Sequence, residues 1–215
     1  MTIKSFRHPA VRRYAMGMTL TLAAVVVLLV FQPDPDLPRA LEAEALDEAA
    51  AIWAPYGATI SAADPCVTPL DGAATLTVAI AGEAATLGTA PWAGTFGAIR
   101  FTDGVPAPEI DVSYEAIARL IQSVSLHDRR ESEWPRAVRR LVLGRVIGRV
   151  LAHEIGHYLL RSRGHAAAGL MRGQQTITNL VDADRRRFAL SAAEQARWRL
   201  LSDTSAPGGW IEHPR

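Results

Sequence analysis

The sequence predicts an α+β domain held behind a single membrane-spanning helix. Three observations carry that expectation. Apolar residues recur at helical spacing over 39–53, 113–125 and 135–160; short β-branched or alternating runs lie between the first two of these; and residues 14–31 form an uncharged apolar run. The implied division is a basic N-terminus (1–13), a transmembrane segment (14–31), a Pro-rich linker (32–38), one domain (39–205) and a loose tail (206–215).

The run YAMGMTLTLAAVVVLLVF is just long enough to cross a bilayer as a helix. Arg12 and Arg13 precede it, and a positive flank stays in the cytoplasm, so the rest of the chain is expected outside it, periplasmic or extracellular. No small-x-small cleavage site follows closely, which favours an uncleaved signal-anchor over a cleaved signal peptide that would release the domain. Gln32-Pro-Asp-Pro-Asp-Leu-Pro38 reads as a stiff spacer.

Arg39 to Trp53 reads as an amphipathic helix with Leu41, Ala45, Ala49, Ile52 and Trp53 on or near one face, ended by Pro55 and Gly57. Strands are expected at Ala58–Ser61, Ala74–Ala81 and Ala98–Phe101, with a short one at Ile110–Val112 and turns at Asp64-Pro65, Asp71-Gly72 and Asp103 to Pro108. Residues 82 to 97 read as loop. Ser113 can cap a helix reaching Ser125, and Pro135 suits the first turn of a long helix to about Leu160. On that helix Gly144 and Gly148 lie in the apolar arc, where another backbone can approach closely. Arg145 and Arg149 are expected on a solvated face or beside a carboxylate, with substrate binding as the alternative. From Asn179 one or two helices remain, the last opened by the capping box Ser191-Ala-Ala-Glu194.

Composition is ordinary for one globular domain: 215 residues, 49% hydrophobic and 21% charged. The formal charge is +1, but Lys4, Arg7, Arg12 and Arg13 precede the apolar run. Without them 19 basic residues face 22 acidic ones, a charge of −3 over residues 14–215, and no basic stripe interleaved with aromatics points to nucleic acid. Cys66 is the only cysteine, so no internal disulfide can form.

Chemistry concentrates in His153-Glu154-Ile155-Gly156-His157. On a helix the two histidines fall one turn apart on one face and can reach one small ion, a zinc site in outline. Glu154 is rotated from His153 by about 100°. It is poorly placed as a ligand on that face and well placed as general base toward a metal-activated water. A catalytic zinc normally takes three protein ligands. Gly164 can end the helix-to-loop connection and swing His165 back, while Asp182 or Asp184 would instead give a two-His, one-carboxylate site. His8 and His127 are poorly placed, and His213 lies in the tail. Ala166 to Met171 forms a compact return that brings Met171 toward the histidines.

HEIGHYLLRSRGH followed by GLM resembles the metzincin clan of zinc metallopeptidases, in particular short exported or membrane-targeted bacterial matrixin-like proteins. The resemblance implies a zincin-type fold: a twisted mixed sheet, an active-site helix with the first two histidines, a loop histidine and a methionine turn below the metal. It implies His153, His157 and His165 as Zn2+ ligands, Glu154 as base, Met171 in the turn, and a peptide or protein substrate added as a strand along Gly97–Phe101. Trp53-Ala-Pro-Tyr56-Gly57 is similar to the opening helix-to-strand step of such proteins. Leu160 stands where the commoner motif has glycine and the third histidine comes two residues later, so the turn must be built differently, around Gly164. Arg172-Gly173 follows Met171 with no tyrosine, so no tyrosine partner carries over, and the surroundings of Cys66 do not match a latency switch. A membrane-anchored zinc-binding or interaction protein without peptidase activity, or a non-peptidase metallohydrolase, are the alternatives.

Overall fold

A computed structural model describes residues 25–35, 37–64, 72–81, 96–126 and 128–204. The expectations for His8, Cys66, His127, His213, residues 1–24 and the tail lie outside these. The elements run β1 (Val25–Phe31), α1 (Arg39–Trp53), β2 (Ala58–Ala62), β3 (Ala74–Ala81), β4 (Gly97–Thr102), β5 (Val105–Ser113), α2 (Tyr114–Gln122), the two-residue strands β6 (Ser125–Leu126) and β7 (Arg129–Arg130), α3 (Arg136–Leu159), α4 (Ile177–Val181) and α5 (Ala192–Thr204). The α+β expectation holds.

The membrane helix over 14–31 does not hold for its last seven residues. Val25–Phe31 is a strand of a five-stranded sheet ordered β2-β1-β3-β5-β4, hydrogen-bonded in parallel to β2 on one side and β3 on the other. Val25, Val27 and Leu29 are core residues. A parallel strand covered by neighbours reads as a continuous apolar run, and periodicity alone cannot separate it from a membrane span. No helix among the described residues is long and apolar enough to cross a membrane. The domain therefore begins by residue 25, and the expected linker is its β1–α1 connection: the Gln32 amide donates to Val78 O at 2.8 Å, and Leu37 is buried.

The β4–β5 turn is also tighter than expected. Asp103 and Gly104 both have positive φ (51° and 84°), the pairing of a two-residue hairpin turn, so β5 runs back from Val105 through two prolines. Those prolines are tolerated because β3 pairs with β5 only from Glu109 onward. Among the described residues β4 pairs antiparallel with β5 alone, and none of them forms a strand on its other edge.

α3 crosses beneath the sheet, and α1 lies against it. Ala45 O sits 2.5 Å from where a Cβ on Gly148 would be, and Glu44 Cβ 2.4 Å from one on Gly144, so the two glycines are what allows the helix contact. Ser113 caps α2 through its hydroxyl, which accepts from the Ala116 amide, and the box at Ser191 and Glu194 forms in both directions. Pro135 occupies the N-cap of α3 rather than its first turn.

Candidate metal centre

α3 is buried along nearly its whole length from Val142 to Leu159, which fixes the rotation of its face carrying the histidines. Trp53 lies beneath: its indole N–H donates to Ala152 O at 3.0 Å, and its ring meets Tyr56 and Trp198 edge-on. Tyr56 OH accepts from the Leu190 amide, and Trp198 Nε1 donates to Tyr56 O. The Trp53-to-Gly57 segment thus ties α1, α3 and α5 together below the site.

His153 and His157 project one turn apart with Nε2 atoms 3.1 Å from each other. Each Nδ1 lies on a carbonyl oxygen, Leu170 O at 2.7 Å for His153 and Ser162 O at 2.6 Å for His157. A carbonyl only accepts, so these contacts assign the ring protons to Nδ1 and leave the two Nε2 lone pairs facing one another. Two bare lone pairs at that distance repel unless a cation lies between them. Ligands of a tetrahedral zinc would be about 3.3 Å apart, given Zn–N distances of about 2.0–2.1 Å. Burial holds His153 down at about 4 and lowers His157 as well, which keeps both imidazoles neutral and ready to ligate.

His165 completes the set. Its ring stacks on His153 at 5.3 Å and meets His157 edge-on at 4.9 Å, and one ligand atom from each of the three lies within 4.8 Å of the others. The three histidines can therefore hold a metal ion. Asp182 and Asp184 are occupied elsewhere: Asp182 accepts from the Asp184 amide, and Asp184 binds Arg186. His165 is delivered by a different turn from the one expected. The left-handed residue is Arg161 (φ 46°), Leu160 caps the helix, and Gly164 has no positive φ. The Ser162 amide bonds His157 O, a wider return than a glycine immediately after the helix would make, and it uses up the extra two residues before His165.

Met171 is 1% exposed and lies under the motif, its sulfur against Gly156. Glu154 is buried beside the histidines. Burial pushes its carboxyl up to about 8, and a hydrogen bond from the Ile99 backbone on β4 only partly offsets this. A cavity of about 650 Å³ opens over the site, walled by β4 residues on one side and by Leu170 to Gln175 on another.

Some participants carry no motif. Arg149, expected near solvent or a carboxylate, is 1% exposed and takes the second course, with Nε 2.9 Å from Glu48 Oε1 on α1. It donates to Asn179 O, Leu180 O and Asp184 O and lies over the Phe188 ring, so it fastens the segment after α4 to the cavity floor. Glu48 also binds Arg185. The available signal was Glu48 itself, a charge at helical spacing from Leu41 and Ala45 on an apolar face. Ile99, Ser162 and Leu170 act through backbone atoms and leave no trace in the side-chain pattern. Comparison of the chain with protein-family models, with curated proteins and with solved structures finds no match.

Proposed function

We propose that this chain is a zinc-dependent endopeptidase of metzincin type, with His153, His157 and His165 as ligands and Glu154 as general base. The observation that carries the reading is the pair of facing Nε2 lone pairs with a third imidazole beside them and a buried carboxylate one residue along. Bound zinc would supply a Lewis acid that acidifies water and draws charge from a carbonyl oxygen. Glu154 takes a proton from the attacking water onto a carboxylate oxygen and passes it to the departing amine. In the metal-free protein burial keeps Glu154 protonated up to about 8, so its role as base requires the carboxylate form, which a dication held by the neighbouring histidines would favour. The edge of β4 away from β5 would offer an extended peptide lying across the histidines the backbone groups left beside the Ile99 amide, which meets Glu154, and Phe101 O, which meets Arg163. The helix with two histidines, the loop histidine, Met171 beneath them and the mixed sheet all support the analogy.

The same reading sends the domain out of the cytoplasm, directed by Arg12, Arg13 and the apolar residues before β1. Residues 14–24 are eleven in all, two of them threonine, which is the length of a signal-peptide core and short of the roughly 20 that a spanning helix needs.

Zinc analysis of the purified chain, with cleavage of casein and a peptide library, tests the assignment. The expected result is cleavage that a chelator stops and zinc restores, together with a Glu154→Gln variant that keeps its metal and loses turnover. A Glu154→Gln protein that cleaves as fast as the parent removes Glu154 as base. Stoichiometric metal without cleavage leaves a metal-binding protein instead.

A further inference from the structure

The cavity above the histidines is lopsided in charge. Among the described residues its ionisable walls are the three histidines, Glu154 and three arginines: Arg149, Arg163 and Arg172. Glu154 lies buried beside the histidines, and Arg149 is neutralised by Glu48. Arg163 and Arg172 remain, and no carboxylate of the described residues forms an ion pair with either.

The two are anchored differently, the exposed Arg163 through its guanidinium and Arg172 through its backbone. The Arg163 guanidinium stacks over the Phe101 ring at 4.9 Å and donates one hydrogen bond to Phe101 O, at the β4 edge. A guanidinium fixed on an aromatic face has lost little further freedom when its remaining N–H groups meet a planar acceptor. Arg172 follows the buried Met171, and its amide is bonded to Gly169 O, so its side chain leaves from an anchored turn. It is half-buried on the wall that carries His165. A partly desolvated guanidinium without a partner gains most from a carboxylate, which accepts two parallel hydrogen bonds.

We infer that the cleft selects peptides with an acidic side chain close to the scissile bond, read by Arg163 beside Phe101 of β4 and by Arg172 after Met171. This deepens the peptidase reading and rests on it only in taking the ligand to be a peptide. Charge complementarity also speeds capture of acidic segments and weakens with salt.

The test uses the full-length, zinc-loaded chain and three peptides identical except for Glu, Gln or Lys at the residues flanking the scissile bond. Binding is read by fluorescence anisotropy on Glu154→Gln, and cleavage on the parent. The Glu peptide should bind about tenfold or more tighter than the Gln peptide, with the Lys peptide weakest. Arg163→Gln and Arg172→Gln should each erase much of the gap, Arg172→Glu should invert it, and Arg136→Glu, far along α3, should change nothing. Thermal melts of each variant separate lost recognition from lost folding. Equal binding of the three peptides, or a ranking untouched by Arg163→Gln and Arg172→Gln in folded protein, overturns the inference. Tight binding of the Glu peptide without cleavage by the parent sinks the peptidase reading and leaves the charge selection standing; equal cleavage of all three does the reverse.

Discussion

Met171 Sδ occupies the space that a side chain on Gly156 would need, 2.3 Å from the position of its Cβ, with Trp53 3.4 Å from the same point. The fourth position of the histidine motif is therefore closed to anything larger than glycine while Met171 stays below it. Gly156→Ala should force the methionine aside and destabilise the chelated protein by about 1–3 kcal/mol, the usual result of overpacking. Met171→Leu should cost less than about 1.5 kcal/mol. Urea unfolding with chelator present measures both, and an alanine variant as stable as the parent would show that the methionine is not wedged there.

Loss of His165 should separate metal affinity from stability. It is the exposed member of the set, and its removal leaves the core untouched. His165→Ala should change the stability of the metal-free protein by less than about 0.5 kcal/mol. Zinc affinity should fall roughly a hundredfold or more, beyond the 10–100-fold typical of losing a supporting hydrogen bond. Competition with a chromogenic chelator reads the affinity. An unchanged value would hand the third position to another residue.

The stability of the metal-free protein should depend on pH through two buried groups of opposite sense. Glu154 keeps its proton in the folded state to about 8, whereas the unfolded chain releases it near 4.5, so this group's contribution is full below 4.5 and is lost as pH rises to 8. His153 resists protonation down to about 4 while the unfolded imidazole titrates at 6.5, so its contribution is full above 6.5 and is lost as pH falls to 4. Glu154→Gln removes only the first limb. Its advantage over the parent should be near zero at the acid end and grow to on the order of 2–4 kcal/mol by pH 8. Parallel melting curves across that range would contradict the burial of Glu154.

Glu48 and Arg149 are each buried and pair with each other, so removing Glu48 leaves the Arg149 charge on backbone carbonyls alone, and removing Arg149 leaves Glu48 with Arg185 only. Glu48→Ala or Arg149→Met should cost about 3–5 kcal/mol, and the double variant should cost less than the sum. A double-mutant cycle by urea unfolding measures the coupling. Additive losses would mean that the two groups do not depend on each other.

Truncation decides where the domain starts. A chain beginning at residue 25 keeps β1 and should fold. One beginning at residue 39 loses a strand bonded on both sides, with the core residues Val25, Val27 and Leu29, and should be insoluble or unfolded by circular dichroism. A folded, zinc-binding chain from residue 39 would show that β1 is dispensable.

By itself the sequence determined what depends on local spacing. His153, Glu154 and His157 sit on one helix turn, Ser113 and Ser191 cap the helices that follow them, and α1 and α3 begin and end within a residue or so of their expected bounds. These follow from the 3.6-residue period and from side chains that bond their own backbone. Tertiary structure decided the rest. Val25–Phe31 is apolar enough for a lipid bilayer or for the middle of a parallel sheet, and only β2 and β3 on its two sides settle which. His165 prevails over Asp182 and Asp184 because a left-handed Arg161 turns the chain back toward α3, a backbone choice no residue type announces at an arginine. The environments of Glu154 and Arg149 come from elements far away in the chain, since burial and pairing belong to the packed whole and not to any stretch of it.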